Sequence, residues 1–221
     1  MRAVLAAVLV AGGLTVAPVS AGPARADPVN CPPGCDRIPD SAWIAPWAVP
    51  LDSVYGWPGL AGVAVTAPAP RFRFEEFCAT PPAPNDPRDD AVAARALVGN
   101  PEGQWQLHAQ VMHWRGETWR GGQTVQTVFQ SAVAALRACQ QTAPQASPSI
   151  TTDEPDRLAA VVSGPVILHQ YLVADPQNST ISELALWVVS PPRVEWPAMP
   201  DAPVLDALTA PLCTAYIGSC R

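Results

Sequence analysis

Gln104–Gln141, QWQLHAQVMHWRGETWRGGQTVQTVFQSAVAALRACQQ, changes its period halfway along. In the first part, apolar Trp105, Leu107, Ala109 and Val111 alternate with polar Gln104, Gln106, His108 and Gln110. A period of two is that of a strand with one face buried. After RGETWRGG, residues Val125, Val128, Phe129, Ala132, Val133, Leu136 and Cys139 recur at the i, i+3, i+4, i+7 spacing of one helix face. One strand therefore feeds one long amphipathic helix, with a cysteine near its end turned to the core.

Outward from this unit the chain is punctuated by proline. Asn85-Asp86-Pro87 carries cap and first-turn signals, and the alanine-rich run Ala91 to Val98 before Gly99 predicts a helix. Beyond residue 141, Ile150 to Thr152 and Leu158 to Val162 are short strand candidates. Val166 to Ala174 and Thr180 to Ser190 flank the turn formers Asp175-Pro176-Gln177-Asn178-Ser179, as in an antiparallel hairpin. A last helix is expected from Asp201, interrupted by Pro211, with Leu205, Leu208, Leu212 and Tyr216 on one face. Strands grouped in hairpins with helices around them give an α+β fold: an antiparallel sheet with helices packed on one face, preceded by a Pro-rich irregular arm.

Three divisions follow: a signal peptide over 1–26, the arm over 27–84, and the α+β domain over 85–221. Arg2 and the short apolar run Val4 to Val19 lead to the small-x-small box Ala24-Arg25-Ala26, with cleavage after Ala21 as the alternative. Export and the even number of cysteines point to disulfides, and the expected pairs are Cys31–Cys35, Cys78–Cys139 and Cys213–Cys220. A secreted or cell-envelope location follows, with no stable membrane span after cleavage. Arginine supplies every basic side chain except histidine, a bias of GC-rich genomes such as those of actinobacteria. The net charge of −6 disfavours nucleic acid as a partner. The arm also holds Trp43, Trp47, Tyr55, Trp57, Phe72, Phe74 and Phe77, more aromatics than a disordered linker carries, so it is expected to pack on the domain.

The pattern of strand, long helix ending Ala134-Ala135-Leu136-Arg137-Ala138-Cys139, β-meander and C-terminal helix resembles the PknH-like extracellular sensor domain of mycobacterial envelope proteins. Ala109-Gln110-Val111-Met112, Phe129, Ile167 to Val173 and Leu184 to Val189 carry the rest of the likeness. The resemblance covers roughly Gln104 onward. It implies a disulfide-stapled extracellular domain with a ligand cleft and no catalytic machinery or cofactor. The long arm and the missing lipoprotein cysteine depart from that pattern.

Residue chemistry is consistent with a non-enzymatic reading. The chain has no G-x-S-x-G elbow, no H-E-x-x-H and no phosphate or dinucleotide loop. His108 and His113 fall on opposite faces of a strand and cannot share a metal. Glu75-Glu76 and Asp89-Asp90 read as solvated charge rather than as a glycosidase pair. His113, Trp114, Arg115, Trp119 and Arg120 cluster where the strand turns into the helix. Aromatic planes beside guanidinium groups suit a sugar, a lipid headgroup or an acidic ligand. The alternatives are a secreted hydrolase using His113 or His169, and an interaction module whose aromatic arm docks an envelope protein.

Overall fold

A computed structural model describes residues 37–216. Helices α1 (Asp52–Tyr55) and α2 (Leu60–Val63), strand β1 (Val65–Thr66) and helix α3 (Arg73–Phe77) come from the arm. They are followed by β2 (Val92–Val98), β3 (Gln106–His113), α4 (Thr118–Arg137), α5 (Cys139–Thr142), β4 (Ser147–Asp153), β5 (Arg157–Ser163), β6 (Val166–Asp175), β7 (Thr180–Val189) and α6 (Ala202–Ala215). The seven strands form one sheet in the order β1-β2-β3-β7-β6-β5-β4, antiparallel throughout. After β3, α4 crosses one face and delivers the chain to the far edge. The meander β4 to β7 then returns to pair with β3.

The expected strand-to-helix unit is present, and α4 buries Val125, Val128, Phe129, Ala132, Val133 and Leu136. Opposite them on the sheet lie Ala93, Met112, Leu158, Leu172 and Ile181. The α+β class and the antiparallel sheet hold, but helices do not keep to one face. The alternate residues Leu107, Ala109, Val111, Tyr171, Leu184 and Leu186 form a second core with Leu205, Leu208 and Leu212 of α6 and with Ile38, Trp43, Trp57 and Leu60 of the arm. Strands β6 and β7 are apolar on both faces, so both faces have to be covered.

The helix expected over Ala91 to Val98 is a strand. Asp86 caps a single 3₁₀ turn, Pro87–Asp90, by accepting from the Arg88 amide at 3.0 Å. The chain then pairs with β3 in register from Val92↔His113 to Val98↔Leu107. Alanine favours helix only by tenths of a kcal/mol per residue, roughly, which a seven-residue ladder on a formed strand outweighs. Pro211, expected to interrupt the last helix, sits inside α6. An interior proline costs about 3 kcal/mol. Burying Leu205, Leu208 and Leu212 returns roughly 1.5–3 kcal/mol each.

The arm packs on the sheet through Trp43, Trp57, Phe72 and Phe74, while Trp47 stays exposed, and buried indoles of arm and domain alike find acceptors. Indole N–H groups need an acceptor when buried, and irregular proline-rich chain leaves carbonyls without ladder partners. Trp57 Nε1 donates to Pro50 O at 2.8 Å, and Trp105 Nε1 to Val194 O at 2.7 Å. Trp114 Nε1 donates to Pro87 O at 2.8 Å. The Cys78–Cys139 bridge ties the segment after α3 to the end of α4, with a Cα separation of 4.8 Å. Cys213 is also disulfide-bonded. Cys31, Cys35 and Cys220, and the expected signal segment 1–26, lie outside the described residues, as do the pairings expected for these three cysteines. No helix among the described residues is long and apolar enough to cross a membrane.

Candidate ligand-binding groove

The alternation in Arg71-Phe72-Arg73-Phe74-Glu75 turns Phe72 and Phe74 into the core. The same turn brings Glu75 back under the chain, where Glu75 Oε2 accepts from the Phe72 amide at 2.8 Å. Glu75 is thus buried rather than solvated, against expectation, and its neighbour Glu76 alone is exposed and pairs with Arg73. The reason is a second buried ion: Arg88 Nη1 and Nη2 donate to Glu75 Oε2 and Oε1 at 2.7 and 3.0 Å. Arg88 Nε also donates to Asp86 at 2.9 Å, and Arg71 Nε donates to Glu75 Oε2 at 3.1 Å. A two-pronged carboxylate–guanidinium pair is the arrangement that keeps buried charges tolerable.

This pair floors a groove between residues 72–88 and α4. Phe72, Pro81, Ala83, Val128, Ala132 and Ala135 make its apolar walls, and Thr127 and Ser131 line it from the helix. Its volume is about 180 Å³. The outer wall is held by the Cys78–Cys139 bridge, by Thr142 Oγ1 donating to Cys78 O at 2.5 Å, and by Arg71 Nη2 donating to Thr80 O at 2.9 Å. Burial works against the charged form of Asp86, yet the hydrogen bonds and charge of Arg88 hold its carboxyl below the usual range. Burial likewise opposes the Arg88 cation, and its two carboxylates raise its pKa above the ordinary arginine value. Two cations, Arg71 and Arg88, face two anions, Glu75 and Asp86, so the floor is polar but close to neutral.

Behind the groove lies a fully buried carboxyl. Glu183 of β7 accepts from the Arg73 amide at 2.6 Å, from Gln170 Nε2 at 3.0 Å and from Gln110 Nε2 at 3.2 Å. Burial pushes it up to about 8, against these donors, while Glu75 raises it and Arg88 lowers it.

The residues singled out from sequence do not converge on this groove, and they divide among themselves. Trp114 is buried in the core on the α4 side of the sheet. His113 is half-buried, stacks on Tyr216 with ring centroids 4.5 Å apart, and bonds Thr180 Oγ1 through Nδ1 at 3.0 Å. Burial holds its pKa below the ordinary value. Arg115 is exposed. Trp119 is 59% exposed on the first turn of α4, with the Arg120 guanidinium 5.0 Å from its ring and Arg120 paired to Glu117 at 3.0 Å. Trp119, Thr118, Gln123 and Gln126 border a shallow, open depression.

The histidines give no support to a hydrolytic centre. Thr180 is fully buried and its hydroxyl donates to Asn178 O at 3.1 Å, so it is not presented to His113 as a nucleophile. His169 stacks on Trp196 with centroids 3.6 Å apart, and burial pushes its pKa down to about 4. Ser163 ends β5, and Gly164 and Pro165 make the turn into β6. Among the described residues no group of His, Cys, Asp and Glu side chains could hold a metal ion.

Sequence reasoning missed the Glu75–Arg88 floor. The signal was present: Glu75 stands at i+4 from Arg71 and between Phe74 and Phe77, where a solvated acid is out of place. Comparison with known proteins finds no matching family model, no similar curated sequence and no similar solved structure.

Proposed function

We propose that this chain is a secreted, disulfide-stapled, non-enzymatic binding domain of the cell envelope, of the PknH-like extracellular sensor type. Its ligand is a small, mostly apolar, uncharged molecule held between α4 and residues 72–88. The observation that carries this reading is the groove itself: apolar walls above an ion-pair floor whose charges already balance. An added anion or cation would lose hydration there without gaining an unopposed counter-charge. A cavity of about 150 Å³ accepts benzene. The groove therefore matches one ring or a short aliphatic segment, with Ser131 or Thr127 available to bond a single polar group.

The test is a thermal-shift and calorimetric titration of the exported protein with straight-chain alcohols of six to ten carbons and the matching carboxylates. Saturable binding of the alcohols, weaker binding of the carboxylates and loss of both in Ala135→Trp are expected. Absence of saturable binding, or binding unchanged in that variant, sinks the reading.

A second reading rests on the exposed Trp119, whose ring, flanked by Gln123 and Gln126, has the make-up of a sugar-stacking platform. Retention of the protein on immobilised envelope glycan, lost in Trp119→Ala and kept in Ala135→Trp, would favour it over the groove.

A further inference from the structure

Four buried polar atoms on the α4-facing side of the sheet have no hydrogen-bond partner among the described residues: His108 Nδ1 and Nε2, Gln170 Oε1 and Arg73 Nε. Strand register brings them to one place. His108 of β3 pairs with Ala185 of β7, and Ala185 pairs with Gln170 of β6, so the three form one cross-strand row. Adjacent strands lie about 4.8 Å apart, which places His108 and Gln170 roughly 10 Å apart in this row, with the small residue Ala185 between them. Arg73 closes the space from above. Its amide bonds Glu183, and its guanidinium lies 4.1 Å from the Trp187 ring centroid. Glu183 and Trp187 are the same-face neighbours of Ala185 along β7, so the Arg73 side chain passes over Ala185.

We infer that the sheet encloses a hydrated polar site here, in which water molecules bridge His108, Gln170 and Arg73 above Ala185. The donor balance supports it. A neutral imidazole offers one N–H and one bare nitrogen, the Gln170 oxygen accepts, and Arg73 Nε–H donates. Two donors and two acceptors are what a pair of bridging waters satisfies. The two ring nitrogens point apart, so a single water cannot serve both. Burial, together with the charges of Arg73 and Arg95, pushes His108 down to about 3, which keeps the ring neutral for this role. Left unmet, four such groups would cost a substantial share of a domain's net stability. Waters, being small and able to offer both roles, meet them without any change in the sheet. The site is separate from the groove and does not depend on the groove having a ligand.

A crystal structure of the mature protein at a resolution that shows ordered water decides the matter. Density within hydrogen-bonding distance of both His108 nitrogens, Gln170 Oε1 and Arg73 Nε is the expected result. Ordered side chains with no such density, or side chains rearranged to bond one another, overturn the inference. Density too large for water overturns the identity of the occupant. Magnetic relaxation dispersion of water nuclei provides the solution counterpart. His108→Leu is expected to lose at least one long-lived internal water relative to the wild type, and an unchanged number overturns the inference. Should that variant not fold, the wild-type crystal structure still discriminates.

Discussion

At the scale of single residues, the buried ionisable groups set how stability depends on pH. Burial pushes Glu183 up to about 8 in the folded chain, from an ordinary 4.5. The native state therefore holds a proton that the unfolded state releases, and stability falls as pH rises from 4.5 to 8. His108 and His169 act in the opposite direction. Their folded values, about 3 and about 4, lie below the ordinary 6.5, so stability falls as pH drops below 6.5. Each fully developed term has a slope of about 1.4 kcal/mol per pH unit. His113 is held below its ordinary value as well. The three histidines together outweigh one carboxyl below pH 6.5 and the carboxyl dominates well above it, so urea denaturation should show maximal stability at about pH 6.5–7. Glu183→Gln should remove the decline between pH 6.5 and 8, and a decline retained in that variant would assign it to another group. The Glu75–Arg88 pair belongs to the same scale. Both side chains are buried, and removing one leaves the other charge uncompensated. Arg88→Ala should cost about 3–5 kcal/mol in denaturant titration, whereas truncating the exposed partner in Arg120–Glu117 should change little.

At the scale of elements, α4 is fixed at both ends by contacts that its own helix propensity does not supply. Near its start, a Cβ on Gly122 would lie 2.6 Å from Pro176 O in the β6–β7 turn, and that oxygen belongs to backbone. Alanine is better than glycine in a helix interior by about 1 kcal/mol, yet Gly122→Ala should destabilise, because the helix must lift off the hairpin. A raised melting temperature in that variant would show that this end of α4 is free to shift. At the other end Cys78–Cys139 closes a loop with a sequence separation of 61 residues. The chain-entropy model gives about 4 kcal/mol for a loop of that length. The double variant Cys78→Ala/Cys139→Ala should lose about that much stability and, with the outer wall released, its affinity for a groove ligand. Affinity retained at full strength would remove the bridge from the site. Which elements were legible in the sequence follows from the same physics. β3 and α4 declare themselves because each buries one regular face. β2 does not: alanine and valine in Val92–Val98 fit a helix locally, and only the neighbouring strand decides. The groove was only partly legible: the phenylalanines around Glu75 mark it as a buried acid, but its partner Arg88 lies across a proline-rich turn, where no period links the two. The aromatic and arginine cluster at the α4 start was visible, but adjacency in sequence places Trp114 in the core and Trp119 in solvent.

At the scale of the whole molecule, the arm is part of both cores. Phe72, Phe74 and Cys78 are buried on the α4 side of the sheet, and Ile38, Trp43, Ile44, Trp57 and Leu60 on the α6 side. A chain starting at residue 85 would therefore expose apolar surface on both faces at once and leave Glu183 without the Arg73 amide. Burial of one large apolar side chain contributes roughly 1.5–3 kcal/mol. Together the seven large side chains just named contribute an amount comparable to the roughly 5–15 kcal/mol by which a domain of this size is stable. Removing residues 27–84 should leave a chain that lacks a cooperative thermal transition, loses near-ultraviolet circular dichroism and binds a hydrophobic dye. This bears on how a docking role for the arm can be tested. Loss of a partner on deletion would report unfolding rather than a lost contact, so the informative variant is Trp47→Ala, whose ring is 80% exposed and supports neither core. Should the truncated chain instead unfold cooperatively with native-like near-ultraviolet dichroism, the sheet, α4 and α6 would be a self-sufficient domain, and the arm would be a separable appendage.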